Sequence, residues 1–316
     1  MDKKIPNYKD IQEAHERIKD FVHNTPVLTS ESINDILKVE LFFKCENFQK
    51  VGAFKYRGAT NAVQMLDESK LKYGVATHSS GNHAAALSLA AKKRNTPAYI
   101  VMPKNAPEIK KRAVKAYGAN ITFCKSTLDA RESTLKKIKD ATGAYFIHPY
   151  NNFDVICGQG TTAIEFLEKV PDLDYIIVPV GGGGLLSGTA IASKAINPNI
   201  KVYAAEPKNA DDAYRSFKKG FFIPVQKTKT IADGLLTSLS PLTFNIIRHY
   251  VDDIITVKEQ TIIDAMRMTW ERMKIIIEPS SAVALASVIE NKYLFRSKKI
   301  GIIITGGNVD LNKLPF

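Results

Sequence analysis

Four consecutive glycines, Gly181 to Gly184, constrain the fold of this chain more than any other stretch. The apolar, β-branched run 176–180 before them is typical of a buried strand, and the apolar residues after them recur at helical spacing. Backbone without side chains lets N–H groups approach a ligand closely, and a helix N-terminus adds positive potential. The stretch 175–188 therefore predicts a strand, an anion-binding loop and a helix.

Two common phosphate-binding motifs do not fit this spacing. A Walker loop would place a lysine directly after Gly188, where this chain has Thr189. A dinucleotide fingerprint would require a third glycine, and Ser187 stands at that position. An ordinary tight turn is the structural alternative, but such a turn needs one or two glycines rather than four. A phosphate that does not belong to a nucleoside triphosphate is the favoured ligand.

Composition places the chain among ordinary globular proteins. It has 316 residues, of which 45% are hydrophobic and 24% charged. The net charge of +12 is compatible with nucleic-acid binding, but the lysines are scattered and no basic run alternates with aromatic residues. The three cysteines form no Cys-x-x-Cys pair, and no stretch resembles a signal peptide or a membrane span of ~20 apolar residues. We expect a cytoplasmic protein.

Strands and helices alternate strictly between residues 73 and 148. Such alternation predicts right-handed crossovers and a parallel sheet. The segments before and after this block share a similar pattern and are expected to form one second sheet. The prediction is a large domain of residues 1–72 and 149–316, with 73–148 inserted as a small domain and a cleft between them.

Four polar loops follow predicted strands, where ligands gather in parallel sheets. They are Gly52-Ala53-Phe54-Lys55, Ser79-Ser80-Gly81-Asn82-His83, the glycine loop and Thr305-Gly306-Gly307-Asn308. Lys55 has an apolar neighbour and starts a helix, two conditions that lower a lysine pKa and favour imine formation with an aldehyde. The alternative is a surface lysine. The loop 79–83 either holds a carboxylate or merely caps a helix.

These four loops, in this order, resemble those of the fold type II enzymes of pyridoxal 5′-phosphate (PLP). The resemblance is greatest to the serine/threonine dehydratase and serine racemase group and covers essentially the whole chain. It implies a two-lobed α/β fold like that of the tryptophan synthase β subunit. A parallel sheet is expected in the inserted smaller lobe and a larger, mostly parallel sheet in the other. It also implies a homodimer and a small amino-acid substrate, with no nucleic acid and no membrane.

The resemblance implies a role for each loop residue. Lys55 would hold PLP through an imine, Asn82 would bond the ring hydroxyl, and Thr305 would face the pyridine nitrogen. Most relatives have serine at that last position, so Thr305 departs from the pattern while keeping the hydroxyl. The phosphate would be bound by Gly181, Gly182, Gly183, Gly184 and Leu185. The substrate carboxylate would be held by Ser79, Ser80, Gly81, Asn82 and His83.

The resemblance further implies L-serine/L-threonine dehydration, in which Lys55 removes the α-proton and a 2-oxo acid and ammonia result. A neutral hydroxyl at Thr305 gives a weak electron sink, which suits β-elimination better than transamination. Ser80 keeps serine racemisation available as an alternative, because the matching serine of racemases acts on the opposite face of the substrate. Dehydration of 3-hydroxyaspartate is a further alternative, and a non-catalytic PLP or amino-acid binding protein a remoter one.

A second cluster, 206–212, follows another predicted strand. Two carboxylates across a turn, with a carbonyl between them, suit a hard divalent cation. The segment resembles the Mg²⁺, Ca²⁺ or Mn²⁺ site of serine racemases, which implies Glu206, the Ala210 carbonyl and Asp212 as ligands. The alternative is that an aspartate simply caps the next helix. Glu278 is expected near the cofactor edge, although Pro279 and the serines after it are also an ordinary helix start.

Overall fold

The computed structural model describes residues 5–79, 81–106, 108–225 and 228–316, without the side chain of Ile109. Within these ranges the chain forms two β-sheets. The strands are β1 (Val27–Leu28), β2 (Glu40–Cys45), β3 (Val75–His78), β4 (Ala98–Pro103), β5 (Asn120–Cys124), β6 (Tyr145–Phe146), β7 (Tyr175–Pro179), β8 (Lys201–Pro207), β9 (Asp253–Val257) and β10 (Lys299–Ile304).

Helices surround both sheets. They are α1 (Tyr8–Ile18), α2 (Glu31–Leu37), α3 (Lys55–Gln64), α4 (Glu68–Leu71), α5 (Asn82–Lys93), α6 (Glu108–Ala116), α7 (Leu128–Thr142), α8 (Phe153–Lys169), α9 (Gly184–Ile196), α10 (Asp212–Lys219), α11 (Pro241–Tyr250), α12 (Glu259–Met273), α13 (Pro279–Glu290) and α14 (Lys292–Phe295). In the described part of the chain, none of them combines the length and apolar character needed to cross a bilayer.

The two sheets confirm the predicted fold class. The larger has the strand order β1-β2-β10-β7-β8-β9, and all of its pairs are parallel except β1 with β2. The smaller has the order β5-β4-β3-β6 and is entirely parallel. Central strands such as β7 and β10 are buried almost throughout, as expected of parallel strands covered by helices on both faces. Division into domains at 72/73 and 148/149 stays a prediction, which the two separate sheets support.

The sequence pattern predicts a helix from Gln159 to Val170, but helix α8 begins six residues earlier, at Phe153. The Asn152 side chain caps it by accepting a hydrogen bond from the Val155 N–H at 2.9 Å. Its early turns contain Gly158 and Gly160, which obscure the apolar periodicity in the sequence. Those glycines are the positions where neighbouring helices approach most closely.

Helix α8 lies between α3 and α9 and contacts both through glycines. A Cβ atom on Gly158 would lie 2.6 Å from the Cα of Gly58 on α3. A Cβ atom on Gly188 of α9 would lie 2.6 Å from the backbone nitrogen of Gly160. Since α3 starts at Lys55 and α9 starts at the glycine loop, α8 sets the spacing between these two features.

Candidate active site

Lys55 is the first residue of α3, and its Nζ donates a hydrogen bond to the Pro149 carbonyl at 3.1 Å. The same nitrogen lies 5.0 Å from the centre of the Phe54 ring. Burial lowers the Lys55 pKa from 10.5 to about 8, and the Glu278 carboxylate partly opposes that shift. A substantial fraction of the amine is therefore neutral near physiological pH, as a nucleophilic lysine requires.

The glycine loop lies against the same segment that holds Lys55. Tyr150 follows Pro149, and its ring would be 2.2 Å from a Cβ on Gly182. Gly183 adopts a left-handed conformation, with φ 83°, immediately before the buried helix α9. Among the described residues, the N–H groups of Gly181 to Leu186 donate no hydrogen bond to protein atoms. The loop thus presents unpaired donors at a helix N-terminus, which fits the phosphate of PLP.

Asn82 joins the smaller sheet's loop to the larger sheet. It is the first residue of α5, and its Nδ2 donates to Oε1 of Glu278 at 2.8 Å. Asn308 in turn donates to Oδ1 of Asn82 at 3.0 Å and to the Val51 carbonyl at 2.8 Å. Both asparagines line a cavity of about 240 Å³. Burial raises the pKa of Glu278 to about 7, so this carboxyl ionises less readily than usual, and its charge acts on the pKa of Lys55. The expected position of Glu278 near the cofactor edge stays a prediction.

Thr305 is buried beside the start of α3. Its carbonyl accepts the Phe54 N–H at 3.0 Å, and its hydroxyl lies 2.9 Å from the hydroxyl of Ser281. Ser281 also donates to the Gly306 carbonyl at 2.7 Å. The site therefore offers an uncharged, fixed hydroxyl where the resemblance places the partner of the pyridine nitrogen.

The predicted substrate loop is described only in part, because Ser80 falls outside the described residues. Ser79 is half-buried, and its hydroxyl accepts the Gly81 N–H at 3.3 Å. His83 is buried, with Nε2 3.2 Å from the Ile147 carbonyl. Burial and the Lys55 charge lower the His83 pKa to about 3, so this imidazole is neutral. Carboxylate binding by the loop stays a prediction.

Two of the predicted cation ligands, Glu206 and Asp212, lie near the end of β8, where the charge of Asp212 contributes to a raised pKa of Glu206. Glu206 accepts the N–H groups of Ala213 and Tyr214 at 3.0 and 2.8 Å, so this residue caps α10. Both carboxylate oxygens of Asp212 are buried without a hydrogen-bond partner among the described residues. Asp211, at the N-cap position, makes no capping bond with its side chain. The orphaned oxygens of Asp212 are what a divalent cation would satisfy.

Cation binding here would need further oxygen ligands. Within the described ranges, no group of three or more His, Cys, Asp or Glu side chains is arranged to hold a metal ion. A cation at this place would rest on two carboxylates together with backbone carbonyls, such as that of Ala210, and water. That combination suits Mg²⁺ or Ca²⁺ better than a transition metal.

Two residues near the site were not predicted from the sequence. Tyr150 packs against the glycine loop, and its ring centre lies 4.6 Å from that of His148. Arg131, on α7, has a buried Nε without a hydrogen-bond partner among the described residues. Its charge contributes to a lowered pKa of His78 and opposes the burial that raises the Tyr150 pKa. Neither residue belongs to a recognisable motif, since each reaches the site through tertiary packing.

Comparison with known proteins gives close matches over the whole chain. The model of the family described as pyridoxal-phosphate dependent enzyme matches residues 18–306. A serine racemase of Dictyostelium discoideum is 54% identical over 313 residues, covering 97% of this chain and 96% of that protein. A beta-hydroxyaspartate dehydratase of Paracoccus denitrificans is 50% identical over 312 residues, covering 99% of both. The structure of maize serine racemase superposes with a TM-score of 0.96 at 49% identity, covering 98% of this chain and 95% of that one.

Proposed function

The chain belongs to the family of pyridoxal-phosphate dependent enzymes, and on that basis we propose that it interconverts L- and D-serine and also dehydrates serine. The observation that carries this proposal is the position of the Lys55 amine, which donates to the Pro149 carbonyl next to a glycine loop with N–H donors that are unpaired among the described residues. The family resemblance implies dehydration first, with racemisation and 3-hydroxyaspartate dehydration as alternatives. The names of the relatives support the racemase and hydroxyaspartate alternatives better than threonine or serine ammonia-lyase activity.

Each residue of the site has a stated task in this proposal. PLP supplies the electron sink that acidifies the substrate Cα–H. The Lys55 amine removes that proton on one face, and the Ser80 hydroxyl delivers a proton on the other face to give the D-isomer. The N–H groups of the glycine loop hold the phosphate, and Thr305 offers the pyridine nitrogen a neutral hydroxyl. Asn82 bonds the ring hydroxyl and is itself oriented by Glu278.

The test compares both products formed from L-serine. Ser80→Ala should abolish D-serine formation, measured by chiral chromatography, while 2-oxo acid and ammonia are still produced. Ser79→Ala is the matched control, since loss of a carboxylate-binding hydroxyl should reduce both products alike. D-Serine formation at the wild-type rate in Ser80→Ala would refute the two-face assignment.

We propose 3-hydroxyaspartate as a second substrate, because Arg131 brings an unpaired guanidinium nitrogen near the site. A second carboxylate on the substrate would satisfy that donor through a charge-assisted hydrogen bond. Arg131→Met should lower kcat/KM for 3-hydroxyaspartate at least about tenfold more than for serine, since such a bond contributes about 1.5–3 kcal/mol. Arg112→Met, which removes an exposed arginine, is the control. Equal losses on both substrates would contradict this role.

We also propose a divalent cation bound by Glu206, the Ala210 carbonyl and Asp212. The support is the buried, unpartnered carboxylate of Asp212, whose ionised form is costly without a counter-charge.

A homodimer in the cytoplasm is proposed from the family resemblance. Sedimentation of the purified protein tests the oligomeric state, and a monomer at micromolar concentration would contradict it.

A further inference from the structure

Four charged side chains are buried together beneath the start of α3, outside the site described above. They are Lys44, Glu46, Arg57 and Glu165, and their exposed fractions are 0, 0, 0 and 3%. We call them the buried charge cluster. Two positive and two negative groups make the cluster formally neutral. Its members come from β2, the segment after β2, α3 and α8, so it joins elements that are far apart in the sequence.

Arg57 is the centre of the cluster and bridges both carboxylates. Its Nε and Nη2 donate to Glu46 at 2.7 and 2.8 Å, and its Nη1 and Nη2 donate to Glu165, both at 2.7 Å. Lys44 donates to Glu165 at 2.6 Å and to the Thr25 carbonyl at 2.7 Å. Two bidentate pairs on one planar guanidinium fix its position and its orientation.

Stability alone does not explain such a cluster. Desolvation of buried charges offsets much of their attraction, and apolar replacements of similar volume are often neutral or stabilising. A planar, bidentate arrangement also fixes the position of α3, because a small shift of this helix would break several short hydrogen bonds at once. The cluster thus locks α3 against β2 and α8.

The locked helix carries Lys55 two residues before Arg57. On the following residue, Gly58, a Cβ atom would lie 2.6 Å from the Val155 carbonyl of α8, so the two helices already touch at their backbones. Helix α8 also contacts α9, whose N-terminus is the glycine loop. Arg57 and the glycine contacts together determine how far the Lys55 amine lies from the phosphate-binding N–H groups.

We propose that Arg57 is a positioning residue, which through Glu46 and Glu165 holds Lys55 at the distance from the glycine loop that PLP spans. This inference rests on the proposed attachment of PLP to Lys55. It assigns Arg57 no contact with cofactor or substrate. Its specific consequence is that Arg57 contributes to cofactor affinity only when the lysine arm is present.

A double-mutant cycle between Lys55 and Arg57 tests this consequence. Arg57→Lys keeps the charge and removes the planar fork. In cofactor-free protein, calorimetric titration with PLP should show a loss of affinity of about ten- to a hundredfold for Arg57→Lys, the cost found at metal sites when a residue that orients a ligand side chain is lost. In the Lys55→Ala background the same substitution should change PLP affinity by no more than about twofold.

Three controls make the outcome decisive. Val288→Ala, a truncation in the core of α13, should lower the melting temperature and leave PLP affinity unchanged. If Arg57→Lys does not fold, Glu46→Gln takes its place in the double-mutant cycle. It should weaken PLP affinity when Lys55 is present and leave it nearly unchanged in the Lys55→Ala background. Lys55→Ala alone should lose the visible imine absorbance, which tests the attachment independently.

Two results would overturn the inference. Equal losses of PLP affinity with and without Lys55 would show that Arg57 acts on the fold as a whole. Unchanged affinity in a folded Arg57→Lys variant would show that its geometry is irrelevant to the site. If Lys55→Ala keeps the imine absorbance, the proposed attachment fails, and the positioning role fails with it.

Discussion

The capture of PLP by cofactor-free protein should depend on pH in a way that reports the environment of Lys55. Burial lowers the pKa of this amine from 10.5 to about 8. Only the neutral amine attacks an aldehyde. The rate constant for imine formation should therefore rise with pH and level off above about 8, the pKa given for Lys55.

The size of the effect follows from the shift. At pH 7.5 about a quarter of a lysine with a pKa near 8 is neutral, against about one part in a thousand of an ordinary lysine. Lys55 should thus react about 250-fold more readily than an exposed lysine at that pH, if intrinsic reactivity is equal. The charged form is also the form that burial disfavours, so this group destabilises the fold below pH 8 and ceases to do so as pH approaches 10.5.

Stopped-flow absorbance of the imine, measured between pH 6.5 and 10, gives the rate profile. The same measurement on lysine with a blocked α-amino group, in solution with PLP, corrects the rate profile for the titration of the cofactor itself. Glu278→Gln should move the midpoint to lower pH, because the Glu278 carboxylate raises the Lys55 pKa. A midpoint near 10 in the wild type, or a midpoint that Glu278→Gln moves upward, would refute this account of Lys55.

Two further predictions concern the glycine loop and the cation site. Gly182→Ala should weaken PLP binding and stability by about 1–3 kcal/mol each, since its Cβ overlaps the Tyr150 ring, and overpacking has costs of that order. Gly118→Ala is the control, because Gly118 has a positive φ but open space where the Cβ would stand, so only the melting temperature should fall. Equal PLP affinities for the two variants would contradict the role of the loop. A chelator should lower activity and melting temperature, Mg²⁺ should restore both, and Asp212→Ala should abolish the response. Differential scanning fluorimetry measures this effect of Mg²⁺ on the melting temperature. If Mg²⁺ raises the melting temperature of Asp212→Ala as much as that of the wild type, the cation binds elsewhere.

Features of the fold and of the site can be predicted from the sequence where they depend on residues that are close together in the chain. Gly181 to Gly184 and Lys55 lie in local strand–loop–helix patterns, so their elements can be predicted from spacing. Their resemblance to known loops rests on the residues themselves and their order. The alternating pattern of the smaller sheet was equally local. Fold class and candidate loops could therefore be predicted without coordinates.

Contacts between distant segments could not be predicted in this way. Nothing near Tyr150 in the sequence indicates that its ring packs against Gly182, and Arg131 looks like any charged residue on a helix. Arg57 and Glu165 are 108 residues apart, and their pairing depends on how α3 meets α8. Side chains that act through packing need the tertiary structure to be identified.

The central claim is that Lys55 is the residue that holds PLP. Borohydride reduction of the PLP-loaded protein, followed by proteolysis and mass spectrometry, tests it most directly. The account predicts one pyridoxyl-phosphate adduct, on the peptide that contains Lys55. An adduct on a different lysine, or a protein that takes up no label after incubation with PLP, would contradict it.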